Sequence, residues 1–296
     1  MSRIQANLLL LLAAAIWGGG FVAQSTAMQG MTPNWFNGLR FGLATVAVLP
    51  FAVREARMAD RSLSVGEWLS FAMVGVVLLG SQTTQQIGLQ TTSVTNASFL
   101  TGLYVVFVPV IAVFARGRRP HWIVWPAAGM TLLGILLLSG GALSALSRGD
   151  ILIIICAVFL AAQISLTGLA VGRSGRPLAL ALSQFAICAV GGLLGGAAFE
   201  PFSLEGLSSV IPQIIYAGLF SSGLAFVLQI VGQRHTTAPQ AAIVLSSEAL
   251  FGALFGALML GEMLAMPGYV GCALIFAAML VVELVPEYDR RRNAAA

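Results

Sequence analysis

Ten apolar stretches, each about the length of one helical crossing of a bilayer, follow one another along this chain of 296 residues. They cover residues 6–28, 35–53, 67–88, 93–115, 121–140, 150–171, 178–199, 209–231, 239–260 and 267–285. The connections are short, and several open or close at proline, as at Pro33, Pro120, Pro177 and Pro267. No segment is long enough to form a separate water-soluble domain. Hydrophobic residues make up 58% of the chain and charged residues only 9%, too little charge for a soluble domain of this size. The first stretch starts like a signal peptide, with Arg3 ahead of an apolar run, but that run continues to Met28 and reads as a span. The expected fold is an all-α integral membrane protein.

All fifteen basic residues are arginine, so a phosphate-binding lysine of the Walker type and Schiff-base chemistry are both excluded. The arginines interrupt the apolar runs and do not cluster with aromatic residues, so the net charge of +4 marks topology and no nucleic-acid partner is expected. With the N-terminus in the cytoplasm, Arg3, Arg54, Arg57, Arg61, Arg116, Arg118, Arg119, Arg173, Arg176, Arg234, Arg290, Arg291 and Arg292 all fall inside, and only Arg148 falls outside. That bias predicts a multi-pass membrane protein with both termini cytoplasmic.

The two halves repeat at a separation of 144 residues: Gln85, Gly88, Ala97 and Phe107 return as Gln229, Gly232, Ala241 and Phe251. Arg40-Phe41 likewise falls opposite Gln184-Phe185. Five spans per unit is an odd number, so the second unit enters the membrane upside down, the build of a secondary transporter. The expected organisation is a first unit over 1–145, an inverted second unit over 146–287, a basic cytoplasmic tail over 288–296 and a central cavity between the units.

Polar groups at membrane depth carry free-energy costs unless they face protein or water, which makes them the candidates for a site. Gln82, Gln85 and Gln86 share one face of the third span by their i, i+3, i+4 spacing. They read either as cavity lining or as interhelical hydrogen-bonding groups. Gln24 follows Gly18-Gly19-Gly20 in the first span, and Gln163, Gln184, Gln229 and Ser246 supply polar groups in the second half. Thr101 and Tyr104 lie in the fourth span, and Tyr104 corresponds to Glu248 at the 144-residue offset. Glu248 is the one carboxylate this reading puts deep in a span. It serves either as a proton-linked or amine-binding group, or as a structural acid. Arg40 either reaches the interface with its long stem or binds a carboxylate near the outer mouth. Trp17 either lines that mouth or anchors a helix end. Pro109 and Pro212 are expected to loosen their helices. Cys156, Cys188 and Cys272 have no metal-ligand spacing and read as packing residues.

The run from Gln240 through Leu250, with Gly261-Glu262, Gly271 and Ile275, resembles the end of an EamA unit of the drug/metabolite transporter superfamily. Asn96 to Pro109, with Gly117-Arg118, Gly129 and Gly134, resembles the end of the other unit. The overall pattern is most similar to bacterial YddG-type amino-acid exporters. The resemblance implies an inner-membrane carrier that exports amino acids or similar small amphipathic metabolites, with membrane lipids around it. No cofactor is expected. A lipid-carrier or drug flippase of the same fold is the alternative. An intramembrane enzyme would need paired acids, a metal cluster or an activated nucleophile, and the chain carries no such motif.

Overall fold

The protein is described by a computed structural model that covers residues 1–92, 94–116, 120–138, 147–260 and 266–295. Gly117, Arg118, Arg119, Gly261, Glu262 and most of the junction between the halves (139–146) lie outside the described residues, as do the side chains of Asn96, Arg116 and Arg290 to Arg292. The described secondary structure is helical throughout. Eight helical segments are long and apolar enough to cross a membrane, and two shorter apolar helices accompany them, Tyr104–Phe114 and Val124–Leu137.

In chain order the elements are α1 (Arg3–Ala27), α2 (Pro33–Arg57), α3 (Val65–Gly88), α4 (Val94–Thr101), α5 (Tyr104–Arg116), α6 (Val124–Leu138), α7 (Arg148–Ser174), α8 (Pro177–Phe199) and the short α9 (Leu204–Ser209). Next come α10 (Ile211–Ile215), a π-helical stretch over Tyr216–Leu224, α11 (Ala225–Gln233), α12 (Ala238–Leu245), α13 (Glu248–Leu260) and α14 (Met266–Ala295). α14 continues to Ala295, over 288–295 of the segment expected as a basic tail. Helix starts follow ordinary capping chemistry. Ser2 with Gln5, Ser64 with Glu67 and Ser147 with Asp150 each form a capping box.

The fourth and ninth stretches are each broken in two, at Gly102-Leu103 and at Ser246-Ser247, and 144 residues separate the breaks. The same irregular bonds recur at both. The amides of Leu103, Val105 and Phe107 donate to the carbonyls of Leu100, Gly102 and Leu103, and those of Ser247, Ala249 and Phe251 donate to Val244, Ser246 and Ser247. The causes differ. Gly102 weakens the first helix through its backbone freedom, whereas the hydroxyls of Ser246 and Ser247 donate back to the carbonyls of Ile243 (2.6 Å) and Val244 (2.7 Å) and compete with the helix. Pro109 sits a turn beyond its break, inside α5. Pro212 does not loosen a helix interior: it occupies the first turn of α10, and the irregularity of that span is the π-helical stretch that follows.

Packing repeats with the same offset. α2 packs on α8 and α6 on α14, each a helix against its own counterpart. α3 and α5 pack on α7 as the π-helical stretch with α11, and α13, pack on α1. Glycines permit the closest of these approaches: a β-carbon at Gly18 would stand 2.5 Å from that of Phe251. Polar contacts tie α1 to the π-helical stretch, with Trp17 Nε1 donating to the Ser221 carbonyl at 2.9 Å and the Tyr216 hydroxyl to the Ile16 carbonyl at 3.0 Å.

α2 and α8 also cap each other. The Glu200 carboxylate, just past the end of α8, accepts from the backbone amides of Asn34 (2.9 Å) and Trp35 (3.3 Å) in the first turn of α2. Glu55, near the end of α2, accepts from the amides of Leu178 and Ala179 in the first turn of α8, both at 3.0 Å, and from Arg176 at 3.2 Å. Each acid satisfies donors that the first helical turn leaves free, at the positive end of the helix dipole. Glu55→Gln and Glu200→Gln are each expected to cost about 1.5–3 kcal/mol of stability, the range for hydrogen bonds to a charged group. The two caps lie at opposite ends of the bundle, so the losses should add in thermal unfolding of the single and double variants.

Candidate functional site

The helix breaks, the π-helical stretch and the glycine-rich part of α1 surround one buried cavity. α1 contributes Trp17, Phe21 and Gln24, which share a face by their spacing. α2 contributes Arg40, α3 contributes Gln82 and Gln85, and the first break contributes Thr101 and Tyr104. Leu160 and Ile164 of α7, Ser221 of the π-helical stretch, Phe226 and Gln229 of α11 and Glu248 at the start of α13 complete the wall. The cavity holds about 440 Å³ of empty space, its mouth included, but the centres of water molecules can range over only about 30 Å³ of it. That admits about one or two waters, so the chamber is narrow.

Arg40 does not reach an interface. It is 1% exposed. Its Nε and Nη2 donate to Asn37 Oδ1 at 3.0 and 2.8 Å, and Nη2 also donates to Gln82 Oε1 at 2.6 Å. Asn37 is oriented for this because its own amide donates to the Gln82 carbonyl at 3.0 Å. The guanidinium carbon lies 5.4 Å from the Phe36 ring centroid and 4.8 Å from that of Phe41. These hydrogen-bonding partners are neutral, so they orient the cation and leave its charge uncompensated.

Glu248 is 4% exposed, and the hydroxyl of Tyr104, 1% exposed, lies beside its carboxylate. Glu248 Oε1 itself has no hydrogen-bond partner. Neither Arg40 nor Glu248 belongs to an ion pair among the described residues. One buried guanidinium and one buried carboxyl group thus line the same chamber without forming an ion pair. Such groups are held at a cost that a bound ligand of matching charge would offset.

The other expected residues divide between the wall and the layer behind it. Trp17, Gln24, Gln82, Gln85, Thr101 and Gln229 line the chamber. Gln85 Nε2 reaches Thr101 Oγ1 at 3.5 Å, and Gln24 Nε2 donates to the Gly20 carbonyl at 3.2 Å while Gln24 Oε1 has no partner. Gln86 is instead interhelical, donating to the Gln24 carbonyl at 3.2 Å. Gln163 and Gln184 stand behind the wall in a chain of amides: Gln229 Nε2 donates to Gln163 Oε1 at 3.1 Å, and Gln163 Nε2 to Gln184 Oε1 at 3.0 Å. That chain fixes Gln229 and leaves its Oε1 without a partner. Ser246 does not line the chamber, because its hydroxyl is spent on the helix break.

Sequence reasoning missed Phe21, Leu160, Ile164, Ser221 and Phe226. Phe21 lies between Trp17 and Gln24 on one face of α1, and Phe226 one turn before Gln229, so helical spacing was a usable signal for both. Trp17 and Phe226 meet edge to face at 4.8 Å between centroids and give the chamber an aromatic side.

The EamA-like transporter family profile matches the chain twice, over residues 4–140 and 147–284. The chain belongs to the EamA-like transporter family. It is 32% identical to an uncharacterized transporter of Archaeoglobus fulgidus, across 96% of this chain and 87% of that protein. It is 26% identical to the uncharacterized inner membrane transporter YicL of Salmonella typhimurium, across 97% and 96% of the two chains. An uncharacterized Bacillus subtilis transporter, YwfM, is 25% identical across 98% and 97%. A protein of known crystal structure shares the fold with a TM-score of 0.80 over 96% of this chain and 98% of its own, at 17% identity. This EamA-like transporter is therefore a multi-pass membrane protein, and its chamber is a candidate solute site.

Proposed function

We propose that the chain is a secondary-active carrier that exports amino acids or similar small amphipathic metabolites from the cytoplasm by alternating access. The observation that carries this reading is that two buried ionisable groups of opposite type, Arg40 and Glu248, line one chamber and form no ion pair among the described residues. A zwitterion supplies a counter-charge to each: its carboxylate takes the guanidinium, whose planar fork suits that partner, and its ammonium takes Glu248. The solute side chain lies against Trp17, Phe21 and Phe226. When the solute leaves, Glu248 is left alone at depth, and a proton taking the place of the ammonium links flux to the proton gradient.

The architecture behind this reading is two five-helix units, 1–145 and 146–287, inserted in opposite directions with ten crossings between them. The twofold family match and the packing that maps onto itself when the halves are exchanged support it. So does the reciprocal capping of α2 and α8, which requires the two counterpart helices to run antiparallel. The ends of α2, α7 and α11 bring Arg54, Arg57, Arg173, Arg176 and Arg234 to the side where α1 begins, and the positive-inside rule makes that side cytoplasmic in the inner membrane.

The test is purified protein in liposomes without ATP, offered a panel of radiolabelled neutral L-amino acids that includes L-leucine. The expected result is saturable flux that responds to an imposed pH gradient. Flux that stays linear in solute concentration, or is absent for the whole panel, would sink the carrier reading.

A further inference from the structure

A second cavity opens at the end of the bundle where both termini lie. It is bounded by Ala112 of α5, Pro120, His121 and Val124 around the start of α6, Ser165, Gly168 and Leu169 of α7, and Thr236 to Gln240 where α12 begins. It holds about 1030 Å³ of empty space, of which about 360 Å³ is open to the centres of water molecules. The central chamber offers about 30 Å³ on the same measure. The vestibule is therefore the roomier of the two cavities.

The vestibule has a built polar feature. Gln240 is 7% exposed, and its Oε1 accepts from two hydroxyls, Thr236 Oγ1 at 3.3 Å and Thr237 Oγ1 at 3.0 Å. Two donors on one oxygen fix which way the amide faces, and the Nε2 end is left over as a donor toward the vestibule. Thr237 stands at the N-cap of α12 yet makes no capping bond, because its hydroxyl is committed to Gln240. His121 stands at the rim, held to α14 by an ion-pair contact of 3.3 Å between Nε2 and Asp289 Oδ2. Val108, Ala241 and Leu245, members of one apolar cluster, fall between vestibule and chamber residues along the chain, Val108 between Tyr104 and Ala112 and the other two between Gln240 and Glu248.

We propose that this vestibule is a second, separate binding site, which holds a small carboxylate-bearing solute by the pinned amide of Gln240 before the apolar layer parts and admits it to the chamber. The proposal rests on the carrier reading and adds a site to it. The solute carboxylate accepts from Gln240 Nε2, while its apolar part lies against Ala112, Val124 and Leu169.

Leu169→Cys in a Cys272→Ser background gives a reporter thiol in the vestibule of the full-length protein, read as its alkylation rate by a maleimide. The probe is L-leucine, or the neutral L-amino acid that wild-type proteoliposomes carry fastest if leucine is not carried. The probe is expected to slow alkylation at least about threefold, and to do so equally when Glu248→Gln disables the chamber. Gln240→Glu, which replaces the donor with a like charge facing the carboxylate, is expected to abolish protection. The milder Thr236→Val/Thr237→Val variant, which frees the amide to rotate, is expected to weaken it. Absent protection, protection unchanged by Gln240→Glu, or protection lost with Glu248→Gln would each overturn the vestibular site. Saturable wild-type flux alongside any of these results leaves the carrier reading standing, whereas absent flux for the whole panel removes that reading itself.

Discussion

Glu248→Gln is expected to cut leucine flux in proteoliposomes roughly ten- to a hundredfold while the protein stays folded and monodisperse. Glutamine has the shape of glutamate and loses only the charge. The lost interaction with an ammonium group is a charge-assisted one, worth about 1.5–3 kcal/mol, and each 1.4 kcal/mol is about a factor of ten. Folding should survive because glutamine keeps the size of the side chain and an oxygen that can face the Tyr104 hydroxyl. The effect should also be selective. 4-Methylpentanoate, which is leucine without its amine, should bind the variant as well as it binds wild type. The variant should no longer answer an imposed pH gradient, because the proton-linked carboxylate is gone. Equal fluxes and equal gradient responses in the two proteins would return Glu248 to a structural role.

Which parts of this molecule were legible beforehand follows from what each depends on. Crossing length and the 144-residue repeat depend on composition and order alone, so the bounds of α2, α3 and α8 were expected to within a few residues. The breaks in the fourth and ninth stretches depend on competition within the helix. Gly102 and the pair Ser246-Ser247 were visible, but glycine and serine occur in many unbroken spans. Glu248 and Arg40 stood out because charge is rare at depth. Gln163, Gln184 and Gln229 looked alike in sequence, and only packing separates Gln229 in the wall from the two amides behind it. Leu160 and Ile164 gave no signal, since an apolar residue facing a chamber has the same composition as one facing lipid. The acids Glu55 and Glu200 sit near helix ends, where charge is ordinary, so their mutual capping of α2 and α8 required three dimensions to see.

Arg40 variants are expected to show the other large effect, and they separate recognition from support. Removing one partner of a buried, hydrogen-bonded charge pair costs about 2–5 kcal/mol. Leucine affinity should therefore fall roughly thirtyfold to several thousandfold in Arg40→Gln. Arg40→Lys should lie between this variant and wild type, because it keeps the charge but cannot bond Asn37, Gln82 and a carboxylate together in one plane. Arg40→Gln leaves Asn37 Oδ1 and Gln82 Oε1 without their charged donor, and Arg40→Lys replaces the planar fork that serves both, so a lower unfolding temperature accompanies each change. The discriminating readout is 3-methylbutylamine, leucine without its carboxylate. A guanidinium that binds the carboxylate makes the variants nearly indistinguishable from wild type toward this amine, whereas a guanidinium that only braces α2 against α3 weakens binding of leucine and amine by the same factor. Equal losses for the two ligands, tracking the fall in unfolding temperature, would confine Arg40 to bracing and leave Glu248 to select the solute by its amine.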